Sequence, residues 1–88
     1  MTYNGWHNWD TWNCNLWLAN DYNYYLSIEA KAEELRQNHQ EGDNLVSPEI
    51  IPLLAEFIRD FVICAKVVGD GFDINNVQFE DIAEGWLS

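Results

Sequence analysis

Eighty-eight residues suffice for one domain with one core, since single domains run from roughly 50 to 200 residues and the shortest are only marginally stable. The chain is 48% hydrophobic, which excludes an intrinsically disordered acidic tail. Fifteen Asp and Glu against four Lys and Arg give a formal charge of −11, which argues against direct binding to nucleic acid or to an anionic membrane and in favour of basic partners.

In chain order, the opening MTYNGWHNWD has neither the basic start nor the continuous apolar run of a signal peptide, and no later run approaches the ~20 apolar residues that span a bilayer. A soluble chain in a reducing compartment is expected. Asp10 is placed to cap a short helix from Thr11 to Ala19, and Asn20 with Asp21 ends that helix and caps a second one, Tyr22 to His39. Four of the five tryptophans, Trp6, Trp9, Trp12 and Trp17, crowd into this first segment. On the first helix Trp9, Trp12 and Leu16 share one side, while Cys14, Trp17 and Leu18 spread around the rest, so one stripe cannot bury them all. The helix is either sandwiched as an aromatic staple of the core or has one side turned to a partner.

The second helix is amphipathic: Tyr25, Ile28, Ala32 and Leu35 recur at steps of three and four, and Glu29, Glu33, Arg36 and Gln37 fall elsewhere. HQEGDNLVSP reads as a loop, with turn residues at Gly42, Asp43 and Asn44. A third helix starts either at Ser47 and Pro48 or later, with Pro52 in its first turn. Ile50, Leu54, Phe57, Phe61, Cys64 and Val68 form its stripe, widened by Ile51, Ile58, Val62 and Ala65, which makes it the candidate central helix. Gly69 and Gly71 then break it, and Phe72 and Ile74 are expected to pack from an extended connection. Asn76 can cap a last helix, Val77 to Leu87, with Phe79, Ile82, Ala83, Trp86 and Leu87 inward and Glu80, Asp81 and Glu84 outward. The reading is a single all-α domain, residues 1–88, of about four helices, with Cys14 and Cys64 as small buried hydrophobes.

The stretch NGWHNWDTWNCNLWLANDYNYY, through Asn8, Thr11, Trp12, Asn13, Leu16, Trp17, Asn20, Asp21 and Tyr22, resembles the opening of a family of short proteins of unknown function carried by bacteriophages, plasmids and bacteria. NVQFEDIAEGWL, with Ile82, Ala83 and Glu84, is similar to that family's closing helix. Cys14 and Asn15 depart from the small or aliphatic residues of the pattern, and Gly85 is expected to interrupt the last helix. The resemblance implies a mobile-element setting, in the cytoplasm of a bacterial host, and supplies no active site. Thr11 and Asn13 also suit a purely structural role, since short polar side chains satisfy free amides at helix starts.

Nothing in the sequence spells out catalysis. There is no Gly-rich phosphate loop, no paired-cysteine metal spacing and no nucleophile elbow, and DGFDINN has the letters of a calcium loop in the wrong order. His7, His39, Cys14 and Cys64 are scattered singly, so neither a zinc site nor a thiol nucleophile is expected, and no cofactor is implied. The carboxylate pairs Glu29 and Glu33, Glu56 and Asp60, and Glu80 and Glu84 each stand at i and i+4 on a polar helix face. Such rows are either a solvated face or an ordered anionic surface of the kind a groove built for phosphates accepts.

The expectation drawn from these features is a non-enzymatic acidic inhibitor that binds a basic host protein, a nuclease or other nucleic-acid-binding defence effector, as a partial nucleic-acid mimic of the anti-restriction or anti-CRISPR kind. Glu29, Glu33, Glu56, Asp60, Glu80, Asp81 and Glu84 would make the electrostatic contact, with Trp6 or Trp9 as anchors. The alternative is an assembly module that forms a homodimer through its aromatic helix.

Overall fold

The structure is a computed structural model that describes residues 3–42 and 45–88. Among the described residues the chain forms four α-helices, α1 (Trp9–Asn20), α2 (Tyr22–Asn38), α3 (Ile50–Cys64) and α4 (Phe79–Leu87), with two very short strands, β1 (Gln40–Gly42) and β2 (Leu45–Val46), between α2 and α3. The fold class is all-α, as the periodicity predicts.

Before α1 the backbones of Tyr3 and Trp6 exchange two hydrogen bonds of 2.7 Å around Asn4 and Gly5. Both turn residues have positive φ, 47° and 86°, the combination for which Asn-Gly is the favoured pair. The turn folds Trp6 back towards the start of α1. That helix begins two residues earlier than expected, because Asn8 rather than Asp10 is the cap: its side-chain oxygen accepts from the Thr11 amide at 2.8 Å. Asp21 caps α2 as expected, accepting from the amides of Asn23 and Tyr24.

Ile28, Ala32 and Leu35 face the core from α2, while Tyr25, assigned to the same stripe, remains 40% exposed. The segment read as a loop after α2 contains an irregular antiparallel ladder pairing Gln40 with Val46. The turn expected at Asp43 and Asn44 lies outside the described residues.

α3 begins at Ile50, the later of the two proposed starts. Pro52 is in its first turn, where its missing N–H is harmless, and Ser47 supports the entry by accepting from the Glu49 amide through its hydroxyl and from the Ile50 amide through its carbonyl. The helix stops at Cys64, well before Gly69. Lys66 adopts a left-handed φ of 56°, the Val67 amide donates to the Val62 carbonyl and the Lys66 amide to that of Ile63, which is a Schellman closure with lysine in the usual glycine position. Val67 and Val62, both buried, make the apolar contact that accompanies such a closure. The buried stripe is accordingly Ile50, Leu54, Ala55, Ile58 and Val62. Phe57 and Phe61 are half-buried, and Cys64, Ala65 and Val68 are exposed, contrary to expectation.

α4 starts at Phe79, two residues later than predicted, because Ile74–Asn76 winds into a one-turn 3₁₀ helix capped by Asp73, leaving Asn76 no amide of α4 to cap. Phe72 and Ile74 do pack against the core from this connection. α4 runs through Gly85 without interruption and buries Phe79, Ile82 and Ala83, with Trp86 and Leu87 half-buried against the core and Glu80, Asp81 and Glu84 exposed.

α3 and α4 form the most extensive helix pair, and α2 and α4 each touch the other three helices. The molecule measures 41 × 29 × 19 Å, so it is about two helix diameters thick at its thinnest. Side chains as large as indole therefore reach the surface, and none of the five tryptophans is fully buried. The core side of α1 is instead Thr11, Asn13, Cys14 and Leu18, all without solvent exposure.

Candidate partner-binding site

Two groups of side chains on α1 decide which surfaces remain free. The first laces α1 to the connection before α4. Asn8 donates through Nδ2 to the Asn76 carbonyl at 2.8 Å, Asp10 accepts from the Asp73 amide at 2.8 Å, and Thr11 Oγ1 accepts from the Gln78 amide at 2.9 Å while donating to Asn8 Oδ1. Asn13 Oδ1 accepts from the Asp70 amide at 2.9 Å, and its Nδ2 donates to the Asp70 carboxylate at 2.8 Å, which also receives the Trp17 indole N–H at 3.1 Å.

These two donors hold the Asp70 carboxyl below the ordinary carboxylate range. Thr11 and Asn13 therefore do not serve the amides of their own helix, as the sequence suggested; they are buried receptors for a segment 57 to 67 residues away. Gly69 completes the junction. At its φ of 51° an added Cβ would stand 2.6 Å from Asn13 Oδ1 and 2.7 Å from Trp17 Cδ1, so no larger residue fits.

The second group leaves its chemistry open. Asn15 and Ala19 of α1, Tyr25 and Glu29 of α2, Gly85 and Trp86 of α4, and Trp6 from the entry turn line a cleft of about 300 Å³. The rings of Tyr25 and Trp86 are 5.2 Å apart and tilted by 45°, and the Trp86 indole donates to Asn15 Oδ1 at 3.3 Å. Gly85 lies under the edge of Trp6, where a Cβ would meet the ring at an ordinary 3.5 Å. Glu29 is half-buried at this wall, and among the described residues no cation pairs with it.

Trp6 and Gly85 also border a second cleft of about 400 Å³ with Asp81 and Glu84, and Asp81 in turn borders a third, of about 510 Å³, with Glu56, Arg59, Glu80 and Phe79. The three clefts follow one another around α4.

Of the nine residues singled out by sequence, this belt gathers six carboxylates and rings into adjoining walls: Glu29, Trp6, Asp81, Glu84, Glu80 and Glu56. Glu33 is not among them; it accepts from Arg36 at 3.4 Å and from Gln37 at 3.4 Å on the exposed side of α2. Asp60 is exposed on α3 but lines none of these walls, and Trp9 packs on Trp12, which packs on Tyr3, ring centres 6.5 and 4.9 Å apart. Tyr25, Asn15 and Trp86 are wall residues that sequence reasoning assigned elsewhere. The signal was present in the i, i+4 spacing of Asn15 with Ala19 and of Tyr25 with Glu29, which puts each pair on one helix face.

Two of the four cations are engaged within the chain. Arg36 also donates to the Trp86 carbonyl at 3.1 Å, placing a positive charge at the C-terminal end of α4, and Lys31 pairs with Glu34 at 3.6 Å and lies 5.7 Å from the Phe57 ring centre. Cys14 is buried, and burial pushes its thiol up to about 12, so it is a packing residue rather than a nucleophile. Cys64 is exposed beyond the buried stripe, which corrects its expected burial. Among the described residues no helix is long and apolar enough to cross a membrane, and no group of three or more His, Cys, Asp or Glu side chains is arranged to hold a metal ion.

The sequence profile of a family of unknown function, DUF7249, matches residues 1–85, and the chain belongs to that family. No curated protein and no solved structure matches it.

Proposed function

For this member of a family of unknown function, we propose a non-enzymatic inhibitor that binds a basic host protein through the acidic belt around α4. The observation that carries the reading is the run of exposed carboxylates Glu80, Asp81 and Glu84 on one short helix, continued by Glu56 on one side and Glu29 on the other. Carboxylates anchored on helices keep their backbone spacing, so a surface evolved for phosphates meets an anionic array that needs only side-chain ordering on binding. The formal charge of −11 adds long-range attraction to any basic partner. A phage or plasmid origin, implied by the resemblance of the opening motif, makes a host nuclease or other nucleic-acid-binding defence effector the fitting target, acting in the bacterial cytoplasm.

The test is to pass host lysate over immobilised protein, elute with rising salt and identify the eluate by mass spectrometry. Expected is a nucleic-acid-binding protein released at moderate salt and not retained by the double variant Asp81→Lys, Glu84→Lys. A partner that resists salt and tolerates the charge reversals would overturn the reading.

A second reading, a homodimer through the aromatic helix, draws on the partial exposure of Trp9 and Trp17, at 36% and 42%. The polar end of one of these rings is already engaged, since the Trp17 indole N–H is bound to Asp70. Sedimentation at micromolar protein distinguishes the two: a monomer removes the dimer.

A further inference from the structure

We infer that the cleft walled by Trp6, Tyr25, Trp86 and Glu29 is a receptor for a single arginine side chain of the basic partner. This deepens the inhibitor reading and rests on it. Three aromatic side chains and one carboxylate line a shallow, solvent-open space of about 300 Å³ together with Ala19 and Gly85, the two smallest residues of its lining.

Each feature suits a guanidinium. Its flat, weakly hydrated face stacks on indole and phenol rings, where the ring quadrupole attracts the charge, and its fork of N–H donors matches a carboxylate in two parallel hydrogen bonds. Glu29 can offer both oxygens, because among the described residues it has no cation partner, whereas Glu33 one turn along α2 already receives Arg36. The carboxylates of the adjoining cleft, Asp81 and Glu84, share the walls Trp6 and Gly85 and add negative potential at the mouth without touching the site.

Lysine fits less well. Its compact, strongly hydrated ammonium would surrender more hydration for one point contact, and it has no flat face to lay against a ring. Asn15 Oδ1 in the wall accepts from the Trp86 indole N–H, which fixes that ring in the cleft.

The experiment is a titration of ¹⁵N-labelled protein with acetylated, amidated hexaarginine and, separately, with hexalysine of the same charge, reading the five indole N–H signals. Hexaarginine is expected to shift the Trp6 and Trp86 signals and leave those of Trp9 and Trp12 in place, with hexalysine weaker by about threefold or more. Glu29→Gln, which keeps the size and shape of the wall, is expected to weaken hexaarginine by about threefold while Glu33→Gln does not.

Equal affinity for the two peptides, no effect of Glu29→Gln, or shifts spread evenly over all indoles would overturn the arginine site. The inhibitor reading is judged separately by the lysate capture. If a basic protein is captured and lost on Asp81 and Glu84 reversal while hexaarginine ignores the cleft, the pocket is wrong and the inhibitor reading stands.

Discussion

Two faces of α1 use the same kinds of side chain to opposite ends. On one, Asn13 and Trp17 meet Asp70 and Gly69 in a junction where the buried polar atoms all have partners. On the other, Asn15 and Ala19 meet Trp6, Tyr25, Glu29 and Trp86 around open space. In both an asparagine, indoles and a carboxylate stand together. The difference is closure: in the junction the carboxylate already receives an amide and an indole N–H, while in the cleft Glu29 has no cation partner among the described residues and stands beside partly exposed rings. A carboxylate already bonded within the fold adds rigidity and has little left to offer a ligand, whereas one bonded only to water can exchange that water for a cationic partner.

The comparison breaks most visibly at Gly69. Gly69→Ala adds both a left-handed strain and a collision with Asn13 and Trp17, and is expected to cost about 3 kcal/mol, read from the urea midpoint at unchanged slope. Asn13→Ala removes the two bonds to Asp70 and should cost about 2 kcal/mol by the same measurement. The two changes are expected to be less than additive, because removing Oδ1 gives the new Cβ part of the room it lacks.

A pH series sharpens the contrast. The Asp70 carboxyl is depressed in the folded state, so its contribution is complete above the ordinary carboxylate range near ~3.9 and fades as the pH falls through the folded value. Thermal midpoints of the protein and of Asp70→Asn should therefore differ at pH 7 and converge as the pH falls through the depressed folded-state value of that carboxyl. The comparison with the variant cancels the relief of self-repulsion that acid brings to the other carboxylates.

The cleft side should behave differently in both sign and size. Gly85→Ala, with only an ordinary contact to Trp6 ahead of it, is expected to stabilise α4 by about 0.5 kcal/mol through helix propensity while narrowing the cleft. Glu29→Gln should leave stability within about 0.5 kcal/mol, since no folded-state partner is lost. A large loss there would place Glu29 in the fold rather than in a binding wall.

Much of the architecture was legible in the residues. The periodicity of α2, α3 and α4 located three helices, and Asp21 marked a cap that the structure uses. The errors lie where a group had a distant partner. Asp10 looks like a cap but accepts from Asp73; Asn76 looks like one but lends its carbonyl to Asn8; Cys64 and Val68 look like core, but Cys64 is the exposed last residue of α3 and Val68 lies past the end that Lys66 sets. Local patterns cannot separate a side chain that serves its own helix from one that serves a segment sixty residues on, because the same short polar groups suit both.

The sequence by itself determined the class, the charge and the helix faces: period-3.6 apolar spacing needs a core, and an excess of carboxylates needs solvent or a cation. Only the tertiary structure decided which faces meet. Bringing α1, α2 and α4 together set Glu29 beside Trp6, Tyr25 and Trp86, and turned Asp70 into the partner of Asn13 and Trp17. The physical reason is that a helix face is specified by neighbours three and four residues apart, whereas a cleft or a junction depends on how separate helices pack against one shared core.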